Sequence, residues 1–307
     1  MTTADSETVR GLIKGAYDMH VHSAPDVLPR KFDDMVMAQH TLDAGMAGFV
    51  IKNHYAPTAG RAADIRAAVP GVNVFGGLVL NNAVGGMNAI AVDIAGRMGN
   101  KVVWMPTVDA ANELDNIAGQ MDESKLPYWM TIARAMREKG IAGEPISVID
   151  GDGKVTKDTR DCLDLIAEHD MVLATGHVNP HTELEPLIIA ATEAGVDRIV
   201  VTHPEFPTTY LTADEQVALA KYNVYFERCF TQPYTKKVSW ETVFENIRRV
   251  GPASTILSTD LGQSTAPWVE DGIATFIEKL LGAGFTETEI QLMSHHNSGQ
   301  MLGVEGS

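Results

Sequence analysis

Eight short apolar runs, separated by stretches of helical periodicity, constrain this chain more than any other feature. They are AYDMHVH, GFVIKNH, VNVFGGLVLN, KVVWMPTVD, MVLATGHV, RIVVTHPE, NVYFERC and TILSTDLG. Most are continuously apolar rather than alternating, the pattern of parallel strands covered on both faces. Between them the spacing predicts helices over Phe32–Ala44, Asn88–Met98, Asp158–His169, Leu184–Ala194 and Trp240–Val250. Glycine punctuates several helix-to-strand joins, as in AGMAGFV and EAGVDRIV, where a helix end favours it. Eight β/α units in about 260 residues predict an α/β fold, the (β/α)8 or TIM barrel. A doubly wound open sheet is the alternative, but no GxGxxG follows the first run to support a dinucleotide site.

The 307 residues could be divided into two domains or spent on one large barrel. The even spacing of the runs favours a single barrel domain over 1–307. One segment breaks the rhythm, an insert of about Ala110–Lys157 after the fourth run. It contains KLPYWMTIARAMREKG, which reads as a helix, and ISVIDGDGKVT, which reads as a hairpin about Asp-Gly-Asp-Gly. A calcium loop starting at Asp150 would need Gly and Glu where Val155 and Asp161 stand, so the turn reading is preferred. On the catalytic side of a barrel such an insert reads as a lid or a subunit contact.

A formal net charge of -16 argues against a nucleic-acid partner and against an anionic membrane surface. No run approaches membrane-spanning length, and the N-terminal stretch lacks the apolar core of a signal peptide. Cys162 and Cys229 fall in different elements without CxxC spacing, which fits a reduced, cytoplasmic setting. The expected partner is a small-molecule substrate; assembly into a homo-oligomer is left open.

In a barrel the active site forms at the C-terminal ends of the strands. Five of the ten histidines, His20, His22, His54, His177 and His203, close predicted runs. The same ends carry Lys52, Glu227, Arg228 and Asp260. His20 and His22 are two residues apart, so a strand would present both on one face. They could grip a metal ion there, or be two hydrogen-bonded core residues. Imidazole and carboxylate donors without cysteine suit zinc first, with manganese or iron as alternatives. Asp260 could bind the ion and accept a proton from its water. His54, Asn81, Trp104 and Arg228 are candidate substrate-binding residues. Arg228 could equally pair with an acidic residue, and Trp104 could simply fill the barrel.

HVH after the first run, GHV and THPE after the fifth and sixth, STD after the eighth and the tail ETEIQLMSHHNSGQMLGV together resemble the amidohydrolase superfamily of metal-dependent barrels. The resemblance covers nearly the whole chain. It implies that His20, His22 and Asp260 hold one metal, and that His177 and His203 hold a second or activate substrate, with Asp260 and His203 as catalytic groups. Many two-metal members carry a bridging carboxylated Lys or a Glu at the end of strand four, where this chain offers only Thr107 and Asp109. Lys52 is the available replacement: as a carbamate it could bridge two ions, and as a free amine it could hold a substrate anion or pair with Glu227. The leading expectation is hydrolysis of an amide, cyclic amide, lactone or related ester by a metal-activated water. A mononuclear decarboxylase of the same superfamily, a phosphoesterase and a non-catalytic binding barrel are the alternatives.

Overall fold

In a computed structural model the described residues are 6–118, 132, 135, 136, 138–141 and 143–304. Eight strands pair in parallel in sequence order: β1 (Tyr17–Val21), β2 (Gly48–Ile51), β3 (Asn73–Val79), β4 (Asn100–Trp104), β5 (Val172–Ala174), β6 (Ile199–Val201), β7 (Tyr225–Cys229) and β8 (Thr255–Ser258). The sheet curls back on itself just beyond β8. The Asp260 amide donates to the His20 carbonyl, the His22 amide to that of Leu261, and Val21 bridges Leu261 in parallel. The result is the (β/α)8 barrel expected from the alternation of runs. Most strands stop before their runs do, so Lys52, His54, His177, His203 and Asp260 stand where the ladder gives way to loops, whereas His20 lies within β1 and Glu227 and Arg228 lie within β7.

The continuously apolar strands are buried on both faces. One face packs outward on the helices, as Phe49 and Ile51 do; the other fills the lumen with Met19, Val50, Val102, Trp104, Val200 and Ile256. Trp104 has room because β3 carries Gly77 where the indole ring lies. A Cβ there would stand 2.3 Å from the indole Cζ3. At the N-terminal mouth Met301 and Leu302, from the closing helix Asn297–Leu302, plug the same layer. Asn297 anchors that helix by donating to the carbonyls of Pro252 and Thr255. The open end is therefore the C-terminal one.

The five expected helices are present within two residues of their predicted ends, as Asp34–Asp43, Ala89–Arg97, Lys157–Glu168, Leu184–Glu193 and Trp240–Val250. The last begins at Ser239, whose hydroxyl accepts from the Thr242 amide as an N-cap, and stops at Gly251, whose φ of +94° favours glycine. Within the insert, the Asp-Gly-Asp-Gly turn joins Ile149 and Val155 in an antiparallel bridge. Asp150 Oδ1 accepts the amides of Asp152 and Lys154, so its carboxylate serves the turn. Most of the helix expected over KLPYWMTIARAMREKG lies outside the described residues. Among the described residues no helix is long and apolar enough to cross a membrane.

Candidate metal centre

A bulge in β1 aims the first histidine pair. Asp18 pairs with Phe49, but the next pairing is Val21 with Ile51, so Met19 and His20 together oppose Val50. The extra residue shifts the alternation. Met19 points into the lumen, Val21 joins the outer core, and His20 and His22 both reach the pocket. Asp18 holds the bulge from behind, accepting the amides of His20 at 3.0 Å and Thr259 at 3.1 Å. That second bond also ties β1 to the chain leaving β8.

Asp260 Oδ1 lies 3.3 Å from His20 Nε2 and 3.2 Å from His22 Nε2. The three ligand atoms lie within 4.8 Å of one another, close enough to hold one ion. Asp260 achieves this with φ +55°, a conformation that is uncommon for a residue with a Cβ and concentrates at functional sites. Its second oxygen accepts from Thr231 Oγ1 at 3.1 Å and Gln232 Nε2 at 3.4 Å. Burial works to raise the Asp260 carboxyl. Its electrostatic contacts with His20, His22 and His203, with the hydrogen bond from His22, nevertheless hold it well below the usual carboxylate range.

Behind the His20 ring, Glu227 on β7 contacts Nδ1 at 3.1 Å. An ionised carboxylate can only accept, so Nδ1 carries the proton and Nε2 presents its lone pair to the site. His20, Glu227 and Cys229 form a second group with ligand spacing. Its contacts to His20 run through that protonated Nδ1, with Cys229 Sγ 3.8 Å away, and burial pushes the Cys229 thiol well up. Geometry and donor chemistry therefore favour His20, His22 and Asp260, a set suited to zinc, manganese or iron.

Lys52, buried beyond the end of β2, places Nζ 2.9 Å from His20 Nε2 and 5.3 Å over the Trp104 ring. Burial lowers its ammonium group against the pull of Asp260 and Glu227. Across the lumen His177 and His203 meet edge to face, ring centres 5.0 Å apart, and His203 stacks toward His20 at 5.9 Å. His177 is reached through Gly176 at φ +61°, where a Cβ would stand 2.3 Å from the Met105 carbonyl oxygen. Glu113, from the helix Ala111–Ala118, contacts His177 Nδ1 at 3.1 Å and accepts from Thr208 Oγ1. His203 has φ +27° and its Nδ1 lies 3.3 Å from Thr209 Oγ1. Burial holds its imidazole well below the ordinary range. The six residues expected as metal ligands, His20, His22, Lys52, His177, His203 and Asp260, thus share one end of the lumen.

The expected substrate-binding residues divide. His54 stands beside the triad, stacked on His22 at 5.0 Å with Nδ1 2.8 Å from Thr107 Oγ1. Trp104 forms the floor beneath His20 and Lys52, at 1% exposure. Asn81 does not face a ligand. Its amide nitrogen donates to His54 O and Thr107 Oγ1, and its oxygen accepts from the amides of Thr107 and Asp109, which exhausts the side chain. Arg228 is likewise turned away. Neighbouring strand positions face opposite sides, and since Glu227 points into the lumen, Arg228 points outward. There it is fully buried and donates through Nη1 to Glu205 and Gln216. Two further polar residues lie away from the run ends, Glu113 behind His177 and Gln232 against Asp260, while Glu227, which closes the seventh run, stands behind His20.

No curated protein sequence matches the chain. Among solved structures, an amidohydrolase from Pseudomonas aeruginosa is 12% identical with TM-score 0.64, over 97% of this chain and 97% of that one. A dipeptidase described as a metallopeptidase of family M19 is 13% identical with TM-score 0.59, over 94% of this chain and 98% of its own. Enamidase, described as a member of the amidohydrolase superfamily, is 14% identical with TM-score 0.56, over 95% of this chain and 68% of its own. Such likeness establishes a shared fold, that of amidohydrolase-superfamily structures, across nearly the whole length. A sequence profile matches residues 15–227, well over half of the chain, and by that match the chain belongs to DUF6282, a family of unknown function.

Proposed function

We propose that this chain is a metal-dependent hydrolase that cleaves an amide, cyclic amide, lactone or related ester. One observation carries the reading: two imidazole Nε2 atoms and a carboxylate oxygen converge at the open end of the barrel, with Glu227 fixing the tautomer of the most buried ligand. A divalent ion held there would polarise a substrate carbonyl and acidify a water to near neutral pH. The protein supplies the rest. Asp260, ionised and braced by Thr231 and Gln232, would take the proton from the attacking water and pass it to the leaving group. His177, oriented by Glu113, and His203, kept neutral by burial, would contact the substrate oxygen as charge develops on it. Burial lowers the Lys52 ammonium group, and a more readily deprotonated amine reacts more readily with carbon dioxide, which supports Lys52 as a carbamate ligand to a second ion.

A second reading, the mononuclear decarboxylase, is favoured by the single convergent triad. Among the described residues, His177 and His203 stand as a pair without a third close ligand. The test is a panel of cyclic amides, lactones, phosphoesters and unsaturated acids assayed on protein loaded with zinc, manganese or iron, with bound metal counted. Hydrolysis of a carbonyl substrate, lost by about two orders of magnitude in Asp260→Asn, supports the proposal. Carbon dioxide release with one ion per chain selects the second reading.

A further inference from the structure

We propose that His54 is a fixed hydrogen-bond donor to the substrate through Nε2–H, and that it meets an oxygen that only accepts, a carbonyl or carboxylate oxygen. The inference rests on the hydrolase reading above and names what the substrate of that same site presents beside His22. Asn81 starts the chain of bonds. Its Oδ1 accepts the Thr107 amide at 2.8 Å and the Asp109 amide at 3.4 Å. Only a carbonyl oxygen can face two N–H groups, so the orientation of this side-chain amide is settled. Its Nδ2 then donates to the His54 carbonyl at 3.0 Å and to Thr107 Oγ1 at 2.8 Å. Thr107 is fully buried, so its hydroxyl proton needs an acceptor within the protein. Among the described residues its oxygen has one other close side-chain partner, His54 Nδ1 at 2.8 Å. The hydroxyl therefore donates to Nδ1, and the proton of the neutral ring stands on Nε2. An imidazolium, or a ring turned over to set Cδ2 against Thr107, would leave that hydroxyl without an acceptor.

Two further observations turn this donor toward a ligand. The His54 ring stacks on that of His22, with centres 5.0 Å apart and planes 25° from parallel, so it stands beside a candidate metal ligand. It is half-buried, and among the described residues Nε2 has no hydrogen-bond partner, yet it is not one of the orphaned polar atoms sealed from solvent. Nε2–H is thus an open donor at the metal centre, its direction fixed from behind. A substrate oxygen can take that bond, whereas a substrate N–H would meet it donor to donor. Asn81 and Thr107 are positioning residues, holding the tautomer without touching the ligand.

Long-range proton–nitrogen correlation spectra of the full chain, labelled in its histidines, read the tautomer directly; the His54 signal is the one lost in His54→Phe. The Nε2–H form is expected with and without zinc. Thr107→Val, which keeps the shape and loses the hydroxyl, should release the ring to a mixture of forms, and Thr107→Ser should keep it. Oxalate and acetohydroxamate, titrated calorimetrically into the zinc-reconstituted chain, then read the donor. Both chelate the ion through two oxygens, and only oxalate has further oxygens facing outward. His54→Phe should weaken oxalate about tenfold, the scale of one hydrogen bond to a charged group, and leave acetohydroxamate unchanged. Thr107→Val should weaken oxalate in the same direction. An Nδ1–H tautomer, or oxalate bound alike by the native chain and His54→Phe while acetohydroxamate still binds, would overturn the proposal and leave the metal reading intact. Failure of acetohydroxamate to bind would remove the metal reading and the substrate contact with it, while the tautomer is still read in the metal-free chain.

Discussion

Replacing Arg228 by Met distinguishes a structural clamp from a substrate anchor, because the two roles predict opposite outcomes. Arg228 is fully buried between β7 and the helices outside the barrel, where it donates to Glu205 and to Gln216 Oε1 at 2.6 Å. Glu205 is 2% exposed and has one other partner, Asn246 Nδ2 at 2.9 Å. Removing the guanidinium strands a carboxylate in the interior, which typically costs about 3–5 kcal/mol. Among the described residues Arg228 Nε and Nη2 have no partner, so the native pair is itself incompletely compensated. The loss should therefore fall near the lower end, about 3 kcal/mol. With a urea slope of about 3 kcal/mol/M, the unfolding midpoint should drop by roughly 1 M. Circular dichroism across a urea series measures this, and KM for the substrate, measured where both proteins are folded, should stay within about twofold. The double variant Arg228→Met/Glu205→Gln should recover part of the loss. An unchanged midpoint with a KM raised tenfold or more would refute the reasoning and return Arg228 to the pocket.

Glu227→Gln keeps the size of the side chain but no longer fixes the His20 tautomer. Metal affinity, read by competition with a chelating dye, should weaken about 10–100-fold, and unchanged affinity would exclude Glu227 from the site. Asn81→Ala breaks four hydrogen bonds joining the ends of β2, β3 and β4. It should lower stability by about 1–3 kcal/mol with metal content unchanged, and loss of the metal at full stability would contradict its role as a clamp.

The barrel was legible because parallel strands buried on both faces must be apolar throughout, and the runs are. The convergence of His20, His22, His177, His203 and Asp260 was legible for the related reason that catalytic ends of strands are where such runs stop. Parity along β7 was the first thing lost. The pair Glu227-Arg228 closes that run, and a list of run-end residues does not say which of two neighbours faces inward. The β1 bulge was hidden as well: strict alternation from Met19 would have turned His20 outward, and only the pairing with β2 reveals the extra residue. Glu113 could not be found from spacing, since it meets His177 across 64 residues of sequence from a helix within the insert. Asn81 misled because a polar residue at a strand end looks the same whether it serves a ligand or the backbone of its neighbours. The left-handed φ of His203 and Asp260 leaves no mark in the composition of either segment.

The central claim is that His20, His22 and Asp260 bind a metal ion. Anomalous diffraction at the zinc, manganese and iron edges, from crystals of protein purified without chelators, tests it most directly. The account predicts an anomalous peak about 2.0–2.2 Å from His20 Nε2, His22 Nε2 and an Asp260 carboxylate oxygen, absent from crystals of His22→Ala. A peak between His20 Nδ1, Glu227 and Cys229 instead, or no peak in protein that is fully active, would contradict it.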